Sequence, residues 1–306
     1  MTKVFIDGSA GTTGLRIRER LAGRNDIKLM ILPEELRKDP TARKEALNAA
    51  DIVFLCLPDA ASVEAVSMIE NPHTAVIDTS TAHRTACGWT YGFPELAGKR
   101  EEIQNSKRIA NPGCHASGFI ALIAPLVKTG ILPHDTALSC FSLTGYSGGG
   151  KKMIAEYEGE GRDLLLDAPR QYGLTQNHKH LKEMVAVCGL ETAPVFCPIV
   201  APFYSGMEVT VPLFAKDING TVEDIKRVYA AYYQSKLVHY ENADENGFLS
   251  AGAFSGKDNM QVSVFGNVER ILLTARYDNL GKGASGAAIQ NMNILLGVDE
   301  TTGLEV

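Results

Sequence analysis

The first third of the chain alternates short, uniformly apolar runs with stretches of helical periodicity. Val4-Phe5-Ile6 precedes a helical pattern from Leu15 to Leu21, and Leu29 to Leu32 forms a second run. Asp51 to Leu57 is a third, followed by a helical stretch from Ala60 to Ile69, and Ala75 to Asp78 is a fourth. Strands that are apolar along their length need cover on both faces, which a parallel sheet wrapped by helices provides. A doubly wound α/β domain is therefore expected. The turn cluster Asn111-Pro112-Gly113 closes it, and an apolar helix follows from about Ala116 to Val127.

Beyond Thr136 the runs lengthen and alternate more, as in Glu208 to Phe214, Gln261 to Phe265 and Ile271 to Ala275. These predict strands of a mainly antiparallel sheet. Thr221 and Asp224 are spaced to cap a helix from Ile225 to Tyr233, and Lys151 to Glu158 suits another. The second domain is thus α+β. A last amphipathic stretch, Ala287 to Leu296, is helical, and pattern alone does not assign it to either domain.

With 306 residues there is chain for about two domains, and 45% hydrophobic against 22% charged residues excludes disorder. A net charge of −6 with no basic block argues against nucleic acid as a partner. The longest apolar runs are strand-sized and Met1-Thr2-Lys3-Val4 enters a strand at once, so no membrane segment and a cytoplasmic location are expected. Six cysteines lie scattered, without a C-x-x-C pair, which fits neither a disulfide framework nor a metal site.

The first strand runs straight into Gly8-Ser9-Ala10-Gly11-Thr12-Thr13-Gly14 and then a helix. In that context glycines let the backbone approach a pyrophosphate, and the helix N-terminus holds the anion. The spacing is G-x-x-G-x-x-G rather than G-x-G-x-x-G. After the second run, Glu34 is placed to bind a ribose 2′-hydroxyl, whereas Arg37 and Lys38 suit a 2′-phosphate. The residues leave NAD and NADP both open, beside a plain reading as a solvated charged loop.

Cys114 follows the Asn-Pro-Gly turn and starts the apolar helix. A helix start lowers a thiol pKa and offers N–H groups to an oxyanion, so Cys114 is the candidate nucleophile, while Cys56, Cys140 and Cys197 read as structural. Its proton-transfer partner is sought in Asn177-His178-Lys179-His180-Leu181-Lys182-Glu183. In a helix His180 and Glu183 share a face; in an extended segment His178 and His180 do. His73, His83, His115, His134 and His239 have no such company along the chain. Thr144 to Lys151, Asp278 to Gly286 and Thr79 to Arg84 are polar or glycine-rich loops suited to anions.

Gly8 to Gly14, Asp78-Thr79-Ser80, Tyr91-Gly92-Phe93-Pro94-Glu95-Leu96, Asn111 to Cys114 and Lys282 to Asn293 together resemble the N-acetyl-gamma-glutamyl-phosphate reductases of arginine biosynthesis, in the shorter of that family's two sequence types. The likeness implies a Rossmann-type NADP-binding domain over 1–113, to which a C-terminal helix within 285–306 returns. It also implies a catalytic and oligomerisation domain over 114–284, of the aspartate-semialdehyde dehydrogenase and glyceraldehyde-3-phosphate dehydrogenase kind. It implies an oxidoreductase working through a Cys114 thioester, with His178, His180 and Glu183 matching the family's H-x-H-x-P-E segment, although Lys182 stands where the proline is usual.

By the same likeness, the glycine loop, Arg37, Ser80, Asn279 and Gly283 contact NADP, and Arg84, Asn111, Ser147 and Lys151 hold the substrate. A homo-oligomer, dimer or tetramer, is implied. Two alternatives are a semialdehyde dehydrogenase acting on aspartyl phosphate and a non-catalytic NADP-binding redox sensor built on Cys114.

Overall fold

Six parallel strands build the first of two sheets. The chain runs through β1 (Thr2–Asp7), α1 (Thr12–Leu21), β2 (Ile27–Met30), α2 (Pro40–Ala49), β3 (Ile52–Leu55), α3 (Asp59–Ser67), β4 (Ala75–Asp78), β5 (Thr90–Tyr91), α4 (Lys99–Gln104) and β6 (Arg108–Ala110). The strand order is β2-β1-β3-β4-β6-β5, with every pair parallel. Val4, Ile6, Ile52, Phe54 and Ile77 point to the face covered by Ile17 and Leu21 of α1. Phe5, Val53, Leu55 and Val76 point to the other, under Ala46, Leu47 and Ala65 of α2 and α3. Both parities of β1 from Val4 onward, of β3 and of β4 are buried, which is why those runs read as apolar throughout.

The chain continues with α5 (Cys114–Lys128), β7 (Ser139–Gly145), α6 (Gly150–Glu158), β8 (Arg170–Gln171), α7 (Leu181–Cys188), β9 (Val195–Ala201), β10 (Met207–Phe214), α8 (Val222–Tyr232), β11 (Val238–Tyr240), β12 (Met260–Gly266), β13 (Arg270–Tyr277) and α9 (Gly286–Leu296). The second sheet has the order β11-β12-β13-β10-β7-β9-β8 and is mainly antiparallel, as the alternation predicts; only β11 with β12 and β7 with β9 run parallel. The expected cap is present as a reciprocal box between Thr221 and Asp224 at the start of α8. The computed structural model describes all residues 1–306, in two units: 1–112 with 284–304, and 113–283 with 305–306. Helix α9 belongs to the first, where Ala288, Ile289, Met292 and Ile294 join the core on the α1 face. No helix is long and apolar enough to cross a membrane.

Helix α5 is the centre of the second unit, with twelve of its fifteen residues buried. Pro125 lies inside it, and a proline removes the N–H that the carbonyl four residues earlier expects. That carbonyl belongs to Ala121, and the Tyr233 hydroxyl donates to it at 2.6 Å, while the Tyr229 hydroxyl donates to Leu122 at 2.5 Å. One turn into the helix, the Tyr277 hydroxyl sits between the groups of an i→i−4 pair, donating to the Cys114 carbonyl at 2.6 Å and accepting from the Gly118 N–H at 3.0 Å. Only glycine fits there: a Cβ on residue 118 would lie 2.6 Å from Val209 and 2.7 Å from the Tyr277 hydroxyl. Gly118→Ala is accordingly expected to destabilise the fold by about 1–3 kcal/mol through overpacking. A lowered urea midpoint at unchanged slope checks this, and an unchanged midpoint contradicts the close approach.

Candidate active site

In the first unit, β1 ends in Asp7 and the chain turns at Gly8, where a φ of +87° and the Cys56 carbonyl oxygen, which a Cβ would approach to 2.2 Å, exclude any side chain. A Cβ on Gly14 would likewise lie 2.5 Å from the Gly8 carbonyl. Gly11 caps α1 without a side-chain hydrogen bond, and the buried Thr12 Oγ1 has no protein partner. Uncapped first-turn amides and an unpaired hydroxyl suit a phosphate group.

The loop opens on a cleft of about 620 Å³ lined by Asp7, Gly8, Ser9, Arg37, Lys38 and Arg43. Arg37 is paired with Glu34, and Arg43 is held by buried Asp7 at 2.9 Å and by Glu64 at 3.3 Å. Volume and charge fit the adenosine end of a phosphorylated dinucleotide. Arg43 escaped sequence reasoning because it lies in the next helix, with no spacing that ties it to Asp7.

At the end of β4, buried Asp78 gathers the Ser62 hydroxyl at 3.1 Å, the Ser80 hydroxyl at 2.7 Å, the Ser80 N–H at 2.9 Å and His83 Nδ1 at 2.6 Å. His83 stacks on Trp89 with ring centroids 4.0 Å apart. Contrary to the expectation that His83 lacks company, it belongs to this network. Arg84 donates to the carbonyls of Asn111 at 3.0 Å and Thr79 at 3.1 Å, and Asn111 donates to the Ala284 carbonyl at 3.0 Å.

In the second unit, half-buried Cys114 is the first residue of α5. Its N-cap, Gly113, carries no capping side chain, and the Gly113 N–H donates to the buried Glu183 carboxylate at 3.2 Å. Glu183 thus steadies the turn that presents Cys114. Helix α7 begins only at Leu181, so His178 and His180 precede its regular turns with ring centroids 4.8 Å apart. Burial pushes the Cys56 thiol up to about 12 and raises those of Cys140 and Cys188 too, which leaves them protonated and inert.

Ser147, buried, accepts a hydrogen bond from Asn279 Nδ2 at 3.0 Å, while Asn279 Oδ1 accepts from the Gly206 N–H at 2.9 Å. Lys151 stands exposed on the first turn of α6. Gly283 packs against Cys114: a Cβ there would lie 3.1 Å from that of the cysteine.

The chief correction concerns His115. It is 3% exposed, bonded through Nδ1 to Ser142 Oγ at 2.6 Å and through Nε2 to the Tyr172 hydroxyl at 2.7 Å. The rings of His178 and His180 lie 5.7 and 5.6 Å away. The signal was an imidazole at the head of an otherwise apolar helix, a polar ring that burial obliges to find partners; those partners are remote in sequence.

Burial, with His178 nearby, pulls the His115 pKa from 6.5 to about 3, so the folded chain keeps this ring neutral where the unfolded chain protonates it. Its contribution to stability is complete above the unfolded value of 6.5 and declines as pH falls toward 3, by about 1.4 kcal/mol per pH unit. In urea titrations from about pH 6 to pH 4, the stability advantage of wild type over His115→Gln should shrink at about that slope. A difference independent of pH contradicts a neutral buried His115.

Two family models match the chain: the semialdehyde dehydrogenase NAD binding domain over residues 26–106 and the semialdehyde dehydrogenase dimerisation domain over 114–279. The chain is 44% identical over 99% of both lengths to N-acetyl-gamma-glutamyl-phosphate reductase 2 of Nostoc sp.. It is 46% identical to N-acetyl-gamma-glutamyl-phosphate reductase of Rhizobium meliloti, over 96% of this chain and 98% of that one. Among solved structures, a probable aspartate-semialdehyde dehydrogenase from Pseudomonas aeruginosa superposes with a TM-score of 0.73 at 16% identity, over 96% of this chain and 98% of that one. Aspartate semialdehyde dehydrogenase II of Vibrio cholerae gives 0.72 at 17%, over 97% and 98%. The structural likeness carries the fold and the sequence likeness the lineage: the chain belongs to the N-acetyl-gamma-glutamyl-phosphate reductase family of the semialdehyde dehydrogenases.

Proposed function

We propose that the protein reduces N-acetyl-glutamyl 5-phosphate to N-acetyl-glutamate 5-semialdehyde and phosphate with NADPH, a step of arginine biosynthesis. The observation that carries this reading is a half-buried cysteine opening a buried helix, with the ring of the next residue, His115, 5.7 and 5.6 Å from those of His178 and His180, in a chain related over nearly its whole length to reductases of that name. Cys114 Sγ attacks the C5 carbonyl carbon, and collapse of the tetrahedral adduct breaks the C–O bond to phosphate and leaves a thioester. When bound, NADPH supplies the hydride that brings the thioester carbon to the aldehyde level.

The backbone at the start of α5 faces negative charge on the substrate oxygen in both steps, where the helix dipole is favourable. His178 moves the proton: it takes the thiol proton before attack and returns it to the sulfur when the oxyanion of the hydride adduct collapses to the aldehyde and expels the thiolate. His180 flanks that ring, and Glu183 holds the turn through Gly113. Ser147, fixed by Asn279, and Lys151, Arg84 and Asn111 are the groups we assign to the substrate, whose phosphate and α-carboxylate both require donors. The glycine loop and Ser80 serve the cofactor, with Arg37 assigned to its 2′-phosphate.

The working form we propose is a homo-oligomer. Phe141, Val195 and Leu272, all exposed, fall on one face of the second sheet by register, the face opposite the one on which α5 packs, and suit a second copy. A cytoplasmic location agrees with six cysteines that form no disulfide, one of them a nucleophile that must stay reduced.

Run in reverse, phosphate-dependent reduction of NADP by N-acetyl-glutamate semialdehyde is expected from wild type, with aspartate semialdehyde a poor substitute. Cys114→Ser should lose at least about 10³-fold in kcat, since the alcohol is a far weaker nucleophile. Retained activity in that variant excludes the thioester; preference for aspartate semialdehyde moves the substrate assignment, and cofactor binding without turnover of either leaves the redox sensor. Arg37→Ala should raise KM for NADPH about 10- to 100-fold, the cost of one charge-assisted phosphate contact, and leave KM for NADH within about twofold. Equal effects on both cofactors would remove Arg37 from the 2′-phosphate.

A further inference from the structure

We propose that His115 is a positioning residue for the reductase reaction: through its hydrogen bond to Tyr172 it fixes the wall against which the His178 ring rests. The inference rests on the reading of His178 as the proton carrier. His115 is the neighbour of Cys114 on α5, yet its side chain ties together four other segments. Ser142 comes from β7, Tyr172 follows β8, His178 and His180 lead into α7, and Phe196 lies in β9. Ring centroids around it lie at 6.1 Å for Tyr172, 5.7 Å for His178, 5.6 Å for His180 and 5.4 Å for Phe196. Tyr172 in turn faces His178 with centroids 6.0 Å apart, and its hydroxyl lies within electrostatic reach of the Cys114 thiol.

The donor inventory decides the tautomer. A neutral phenol is a stronger donor than a neutral imidazole N–H, so the Tyr172 hydroxyl donates a hydrogen bond to His115 Nε2 and His115 Nδ1–H donates to Ser142 Oγ. Both ring nitrogens are then committed, and His115 has no lone pair left for the reaction. Its service is geometric. Without it the phenol loses its acceptor, with the Cys114 thiol and the His178 ring nearby, and the His178 ring loses the surface that aims it. The titratable groups around this cluster are Cys114, Tyr172, His178, His180 and, at Gly113, Glu183.

Three variants test this: His115→Phe, which keeps ring volume and removes both bonds; His115→Gln, which keeps one donor and one acceptor; and Tyr172→Phe. A misaimed proton carrier is expected to lower kcat about 10- to 100-fold in His115→Phe and in Tyr172→Phe, with KM for the acyl substrate within about twofold. His115→Gln should recover most of the loss. The double variant His115→Phe/Tyr172→Phe should be no slower than the worse single one, since both changes cut the same link. Multiplied losses, or wild-type kcat in either single variant, overturn the proposal. So does a loss of kcat that merely follows the melting temperature across the set.

The rate of Cys114 alkylation by iodoacetamide against pH needs no substrate. Its midpoint should rise by about one pH unit in His115→Phe and Tyr172→Phe as the thiol loses its aligned imidazole. If wild type turns over neither semialdehyde, the reaction assignment fails while this shift still supports the positioning role; an unmoved midpoint overturns that role whatever the substrate. Should His115→Phe not fold, Tyr172→Phe and His115→Gln carry the same test.

Discussion

A helix buried on nearly every side has no water to finish its hydrogen bonds, and that constraint shapes the second unit around α5. Several places where the helix cannot serve itself are met by a side chain from another element. Glu183 answers the amide at its N-cap, Tyr277 bridges the first turn, and Tyr233 and Tyr229 answer the carbonyls around Pro125. A buried polar group left unmatched costs about 1–3 kcal/mol, so these tyrosines matter more than their modest individual bonds suggest. Cys114 lies at the end of this helix that two of these contacts fix. Its position is therefore set by packing several residues away, through the carbonyl that Tyr277 holds and the Gly113 amide that Glu183 holds.

Strand ends are anchored by a second recurring device. Asp7 closes β1, Asp78 closes β4 and Asp278 follows β13, and all three are buried. Asp7 is matched by Arg43; Asp78 by Ser62, Ser80 and His83; Asp278 by the Ser205 hydroxyl and the amides of Gly256, Leu280 and Gly281. A carboxylate accepting several donors is costly to move, so the loops just beyond these strands stand on stiff footings. The glycine loop, the Ser80 turn and the Asn279 turn are those loops. The loops assigned to cofactor and substrate thus depend on buried acids at the strand ends.

What could be read from the chain followed periodicity and local turn chemistry. The elements around Val4, Leu15, Asp51 and Ala75, the helix behind Cys114 and the cap at Thr221 all appear where local pattern puts them, because each is decided by neighbours within a few residues. Boundaries drifted: the second strand is Ile27–Met30 rather than Leu29 to Leu32, because Lys28 breaks an apolar run without breaking the pairing with β1. Strand β9 gave no signal, since Pro198 interrupts a segment that tertiary pairing with β7 nevertheless makes extended. His115 and Tyr172 stayed unpaired in the reading although 57 positions separate them and a 2.7 Å bond joins them. One-dimensional spacing carries no such information.

The terminal run Gln290-Asn291-Met292-Asn293, one of the most distinctive in the chain, marks packing rather than chemistry. Asn291 donates to the Gly92 carbonyl at 2.9 Å and Gln290 to Glu95 at 2.9 Å, while Asn293 donates to the carbonyls of Glu300 and Thr302 at 3.0 and 2.9 Å. Gly92 and Glu95 belong to the Tyr91 to Leu96 segment, so two motifs some 200 positions apart are halves of one buried network. Gly92 is obligatory there, since a Cβ would lie 2.4 Å from the Asn291 amide. Buried amides tolerate few substitutes, because each must be matched donor for acceptor, whereas a charged cofactor contact on a surface loop can be supplied by several residue types. A family signature is on this account most specific where polar groups are most deeply buried. The Asn291 amide also reaches the Asn111 side chain at 3.3 Å, so the same packing holds the residue that opens the turn before Cys114, the cysteine proposed as nucleophile.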